Sequence, residues 1–227
     1  MTENEGCSGP AAAEASLLRP SGAKALFLFA HGAGAGVLHP FMETTARDLA
    51  DRDIATLRYP FPYMVEGRRR PDRQPVLIDS VRAAHAAARQ QYADLPLFAG
   101  GKSMGGRMTS LAVAERPLPG VEGIIFLGFP LHRPGEESEA RAKHLRSVEL
   151  PMLFVQGTRD RLAAIDRIER VCAELGNRAT LHVVEGADHG FAVLKRSGRT
   201  AEEVHSGIAA AVAEWIDARL TIGPVQK

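Results

Sequence analysis

The chain has 227 residues, a formal net charge of +1 and 24% charged residues. That length suits one domain with a full-sized core, and a charge near zero excludes a global electrostatic pull toward nucleic acid or an anionic membrane surface. Apolar residues make up 45% of the chain, yet no run of them is long enough to cross a membrane.

Residues 1–22 are rich in Ala, Gly, Ser and Pro and read as a mobile tail, with a short edge strand near Ser16–Arg19. The acidic start, Met1-Thr2-Glu3-Asn4-Glu5, lacks the basic region of a signal peptide. Cys7 and Cys172 form neither a disulfide framework nor a CxxC metal pair, which suits a reducing compartment and a cytoplasmic location. No nucleic-acid or membrane partner is expected, and the oligomeric state is open.

From residue 23 a rhythm sets in. Short apolar runs at Ala25–Ala30, Ile54–Tyr59, Pro96–Gly100, Gly123–Gly128, Met152–Gln156 and Leu181–Val184 predict strands. Between them, helical periodicity covers Phe41–Asp51, Pro75–Tyr92, Met104–Glu115, Ala163–Leu175 and Ala201–Leu220, with a weaker segment at Glu136–Ser147. Apolar strands alternating with helices predict an α/β fold: a doubly wound, mainly parallel sheet with helices on both faces. The single domain is expected to span 23–221, with 222–227 as a C-terminal tail.

Tyr59–Pro75 breaks the rhythm with Pro60, Pro62, Pro71 and Pro75 and with Arg68, Arg69, Arg70 and Arg73. It follows the C-terminal end of a strand, the edge at which open α/β sheets bind ligands, so it is a candidate lid. Arg68 and Arg69 are candidates for binding a carboxylate or phosphate on the substrate; the alternative is a solvated charge run. Tyr63 and Met64 either line an acyl pocket or pack the loop onto the domain.

Gly101-Lys102-Ser103-Met104-Gly105 lies between a predicted strand and a predicted helix. A serine on such a turn is presented as a nucleophile, and the helix N-terminus offers a backbone N–H to an anion. The pattern alone fits a glycine-rich turn with a capping serine equally well. A P-loop would need glycine where Pro96 stands, and a dinucleotide turn beginning at Gly32 would need glycine where Val37 stands.

A serine hydroxyl needs a base, and the base needs an acid to orient it. His189 lies in a loop after the last predicted strand and Asp160 in a loop after the strand before it, so both share an edge with Ser103. His85, His144, His182 and His205 fall within helices or strands and read as packing or surface histidines. His132 follows a strand and remains a weaker competitor. Asp160 has an alternative role as a helix cap. Met104 N–H and Ala33 N–H, with Gly34 as the alternative to Ala33, are candidate oxyanion donors. His31 reads as a residue that orients the glycine loop. Lys102 flanks the turn as a candidate substrate contact, and Arg107 is expected in a structural ion pair.

The chain resembles the α/β-hydrolase superfamily over residues 24–220. The motifs that carry the likeness are His31-Gly32-Ala33-Gly34, Phe61-Pro62-Tyr63-Met64 with Gly67-Arg68-Arg69, Gly100-Gly101-Lys102-Ser103-Met104-Gly105-Gly106-Arg107, Gln156-Gly157-Thr158-Arg159-Asp160 and Asp188-His189. Within the superfamily it is similar to the compact dienelactone-hydrolase-like group, and there to the branch with testis-expressed and NSL-complex-subunit relatives. The resemblance implies a Ser-Asp-His hydrolase with no metal or organic cofactor and no large cap. Its substrate would be a small acyl compound, neutral or anionic. Dienelactone hydrolases proper use cysteine as nucleophile, and this chain has serine. The competing expectation is a non-catalytic interaction protein that keeps the fold.

Overall fold

The computed structural model describes residues 15–136 and 138–222. Seven strands form one sheet: β1 (Ser16–Leu18), β2 (Ala25–Ala30), β3 (Ile54–Tyr59), β4 (Leu97–Lys102), β5 (Val121–Leu127), β6 (Met152–Gly157) and β7 (Ala179–Val184). Their order is β1-β3-β2-β4-β5-β6-β7, parallel throughout except for β1, which pairs antiparallel with β3. The α-helices among the described residues are α1 (Pro40–Ala50), α2 (Pro62–Val65), α3 (Gln74–Gln91), α4 (Met104–Glu115), α5 (Ile165–Leu175) and α6 (Ala201–Ile222).

Alternation along the strands builds two cores. Leu26, Leu28 and Ala30 of β2 join Ile124 and Phe126 of β5 and Met152 and Phe154 of β6 beneath α3, α4 and α5. Their neighbours Phe27, Phe29, Ile125, Leu127, Leu153 and Val155 face α1 and α6. A strand buried on both faces is apolar at most positions, which is why these segments read as nearly continuous runs.

Boundaries moved in three places. Ser16–Leu18 pairs with β3, and Arg58 Nη2 donates to Ser16 Oγ at 2.8 Å, so the part of the expected tail from Ser16 onward is docked. Residues 1–14 and 223–227 of the two expected tails lie outside the described residues. The helix expected over Glu136–Ser147 is a 3₁₀ helix, Ala140–Ser147, whose buried Ala142 and Leu145 sit three apart, the 3₁₀ period. α5 starts at Ile165 because Ala164 is extended (φ −57°, ψ 137°). No described helix is long and apolar enough to cross a membrane.

Candidate active site

β4 runs directly into α4 through Ser103, whose φ of 49° and ψ of −112° put a non-glycine residue in a rarely adopted conformation. The turn is held from below by Ser103 N–H donating to Leu127 O at 3.1 Å and from above by Arg107 N–H donating to Ser103 O at 3.1 Å. Such strain persists only where the surroundings over-determine it. The flanking glycines are required by proximity. A Cβ on Gly101 or on Gly105 would lie 2.2 or 2.4 Å from the Ala30 carbonyl oxygen.

The Ser103 hydroxyl donates to His189 Nε2 at 2.8 Å, and His189 Nδ1–H donates to Asp160 Oδ2 at 2.7 Å. The Asp160 side chain is fully buried, while that of His189 is 27% exposed. Asp160 Oδ1 accepts Leu162 N–H at 2.7 Å, and Gln156 Nε2 donates to Oδ2 at 2.6 Å. Gln156 is itself fully buried and accepts Phe129 N–H at 3.0 Å through Oε1, so the carboxylate is gripped from two sides. Asp160 does not cap α5, whose N-cap is Ala164.

Among the described residues neither Met104 N–H nor Ala33 N–H has an acceptor, and Ala33 lines the same cavity as Ser103. Gly34 N–H is occupied, donating to the Tyr63 hydroxyl at 3.3 Å. His31 orients this loop: Nδ1–H donates to Gly32 O at 2.8 Å and Nε2 accepts Phe61 N–H at 3.0 Å. Burial pushes its pKa down against the weaker effect of the Gly32 carbonyl, so the neutral tautomer that this pair of bonds requires is favoured.

A cavity of about 310 Å³ opens on the hydroxyl, walled by Phe41, Met42, Leu162 and His39 and by the Gly32–Ala35 loop, with Lys102 and His189 beside the serine. Tyr63, Met64, Arg68 and Arg69 are not on its wall. Tyr63 is fully buried behind the Gly34 loop, with its N–H donating to Asp72 Oδ2 at 3.0 Å, and Met64 packs on the core beneath α3 and α4. Arg68 is exposed, and its guanidinium already meets Glu66 at 2.6 Å and Asp72 at 2.7 Å, while Arg69 is simply exposed. Tyr59–Pro75 is thus a braced loop carrying α2, tied down by Asp72.

His132 and His144 are not on the cavity wall. His132 Nδ1–H donates to Arg133 O at 2.8 Å, and His144 Nε2 lies 2.8 Å from Ser110 Oγ, pushed down to about 4 by burial and then by the Arg107 charge. Arg107, expected in an ion pair, makes none among the described residues. Sequence reasoning missed Gln156 and the cavity walls. A glutamine inside a buried parallel strand was the available signal for the first, and Phe41-Met42 directly after the glycine loop for the second.

A strained serine at a strand-to-helix turn, on a seven-stranded, mostly parallel sheet without a large cap, defines the α/β-hydrolase class. A model described as alpha/beta hydrolase domain matches residues 23–217, and the chain belongs to that family. Among solved structures, it is similar to a dienelactone hydrolase from Anabaena variabilis (23% identity, 90% of each chain, TM-score 0.71). It is also similar to the esterase domain of a Rhodothermus marinus protein (18% identity, 90% of this chain and 91% of that one, TM-score 0.67). A third likeness is to an α/β serine hydrolase without lid from Xanthomonas campestris (18% identity, 88% of each chain, TM-score 0.67).

Proposed function

We propose that this family member is a serine hydrolase of carboxylic esters, thioesters or related acyl compounds, working through Ser103, His189 and Asp160. The observation that carries the reading is the unbroken chain of hydrogen bonds from the Ser103 hydroxyl through His189 to the buried Asp160 carboxylate, at 2.8 and 2.7 Å. Ser103 Oγ attacks the acyl carbonyl and passes its proton to His189 Nε2, and Asp160 stabilises the imidazolium. Ala33 and Met104 N–H groups receive the oxyanion; Gly34 N–H is already engaged and is set aside as a donor. His189 then gives the proton to the departing alcohol or thiol. A water, deprotonated by the same imidazole, releases the acid and restores Ser103.

The apolar wall of Phe41, Met42 and Leu162 and the cavity's modest size favour a compact acyl group. Among the described residues no carboxylate lines the cavity, which suits a neutral or an anionic substrate. Similar structures described as esterases and as a serine hydrolase without lid support the same chemistry. Within the family we assign the chain to the branch with testis-expressed and NSL-complex-subunit relatives, on the motifs quoted above, and expect it in the reducing cytoplasm.

A fluorophosphonate probe tests the nucleophile. Wild-type protein is expected to label at Ser103 and Ser103→Ala to stay unlabelled, with turnover of short acyl esters falling by at least about 10⁴-fold. No labelling of folded wild type, together with a stable protein partner in pull-down, would favour the scaffold role.

A further inference from the structure

Lys102 immediately precedes the nucleophile, yet its side chain ends at the base. Its ammonium donates to the main-chain carbonyl of His189 at 2.6 Å. Among the described residues this is the one hydrogen bond that the His189 main chain makes. Neighbouring turns brace Asp188, whose Oδ1 accepts the N–H groups of Gly190 and Ala192, but they leave the main chain of residue 189 untied.

The ammonium is also housed. It lies 5.7 Å from the ring centre of Phe41 and 5.2 Å from that of Phe191, one ring from α1 and one from the histidine loop. The end of β5 is cut away to admit it. Gly128, at φ 75°, is where an added Cβ would sit 3.1 Å from Lys102 Nζ and 3.6 Å from the His189 ring. Lys102 makes no ion pair among the described residues. A charged group held in this way, with a short bond to one carbonyl, is built to fix a position.

We propose that Lys102 is a positioning residue: its protonated side chain locks the His189 main chain to the strand end that carries Ser103, and so sets the serine-to-imidazole distance. This rests on the reading of Ser103 and His189 as nucleophile and base. Burial holds the ammonium at a pKa of about 8, with the Asp160 and Asp188 carboxylates opposing the shift. The other titratable groups around it are His189 itself and His39 across the cavity. As pH rises through about 8 the ammonium loses its proton, the charge-assisted bond weakens to a neutral one, and His189 is released from its register.

The test compares wild type, Lys102→Met, which keeps the stem between the rings without charge or donor, and Lys102→Arg, which keeps both. A neutral p-nitrophenyl ester is followed from about pH 6 to pH 10, and the low-field proton resonance of His189 Nδ1–H is recorded on the full chain. Lys102→Met is expected to lose about tenfold to a hundredfold in kcat at neutral pH, to hold KM within about threefold, and to shift or lose the resonance. The wild-type alkaline limb near pH 8 should vanish in Lys102→Met. In Lys102→Arg it should move up by at least about one unit, with most of kcat restored.

Wild-type kcat in Lys102→Met, or equal losses in both variants with an unchanged resonance, overturns the proposal. So does a KM effect confined to anionic esters, which would make Lys102 a substrate contact. Should Lys102→Met fail to fold, a wild-type limb that Lys102→Arg does not move overturns it as well. If wild type has no esterase activity, the hydrolase reading fails; the resonance then decides the positioning role by itself, shifted in Lys102→Met if it holds and unchanged if not.

Discussion

Two irregular segments share the C-terminal edge of the sheet: the five-residue turn around Ser103 and the long proline- and arginine-rich loop from Tyr59 to Pro75. The short one is strained, and its serine hydroxyl meets His189 from a second loop, which in turn meets Asp160 from a third. The long one has the charge and length of a binding element, yet Arg68 is neutralised by Glu66 and Asp72, and Phe61 and Tyr63 are sunk in the core. A run of like charge is no indication of a ligand until its counter-charges are located, whereas a strained polar residue with converging partners has few structural explanations.

The largest effect expected from breaking this contrast comes from Asp160→Asn. The buried amide cannot stabilise the imidazolium and favours the wrong tautomer of His189, so kcat/KM should fall by about 10³ to 10⁴-fold with little change in KM. A smaller change there would mean that the turn's partners are ornamental. Gly105→Ala tests the turn itself. The added methyl meets the Ala30 carbonyl at 2.4 Å, so a loss of about 1–3 kcal/mol in stability is expected, read as a melting temperature lower by about 2–4 °C per kcal/mol. Activity should drop with it as Ser103 is displaced. The smallest effect is expected from Arg68→Gln with Arg69→Gln. Both side chains are exposed and away from the cavity, so KM for anionic and for neutral esters should stay within about twofold of wild type. A selective rise in KM for anionic esters would return the loop to the binding surface.

Much of this was legible along the chain. Ala25–Ala30 was readable to the residue, because a parallel strand buried on both faces is apolar throughout, and so was Ile54–Tyr59, although Thr56 and Arg58 interrupt its apolar run. Met104–Glu115 was equally plain between its glycine turn and Arg116-Pro117. Glu136–Ser147 misled because residues three and four apart are hard to separate in a segment with few apolar positions. For the candidate site, Ser103, Asp160 and His189 were nominated by their places after three strands. Gln156, the walls Phe41, Met42 and Leu162, and the reach of Lys102 to His189 depend on contacts between distant segments that local pattern does not encode.

The sequence by itself determined a doubly wound sheet, the succession of strands and helices along the chain, and the residue types waiting at one edge, since these follow from local periodicity and turn chemistry. Only the tertiary structure decided which of those residues meet. It occupied Gly34 N–H with the Tyr63 hydroxyl, silenced Arg68 with two carboxylates, and brought the Lys102 ammonium to the His189 carbonyl. The reason is geometric: hydrogen bonds and charge pairs act over a few ångströms, and only the packed sheet brings residues 87 positions apart within that distance.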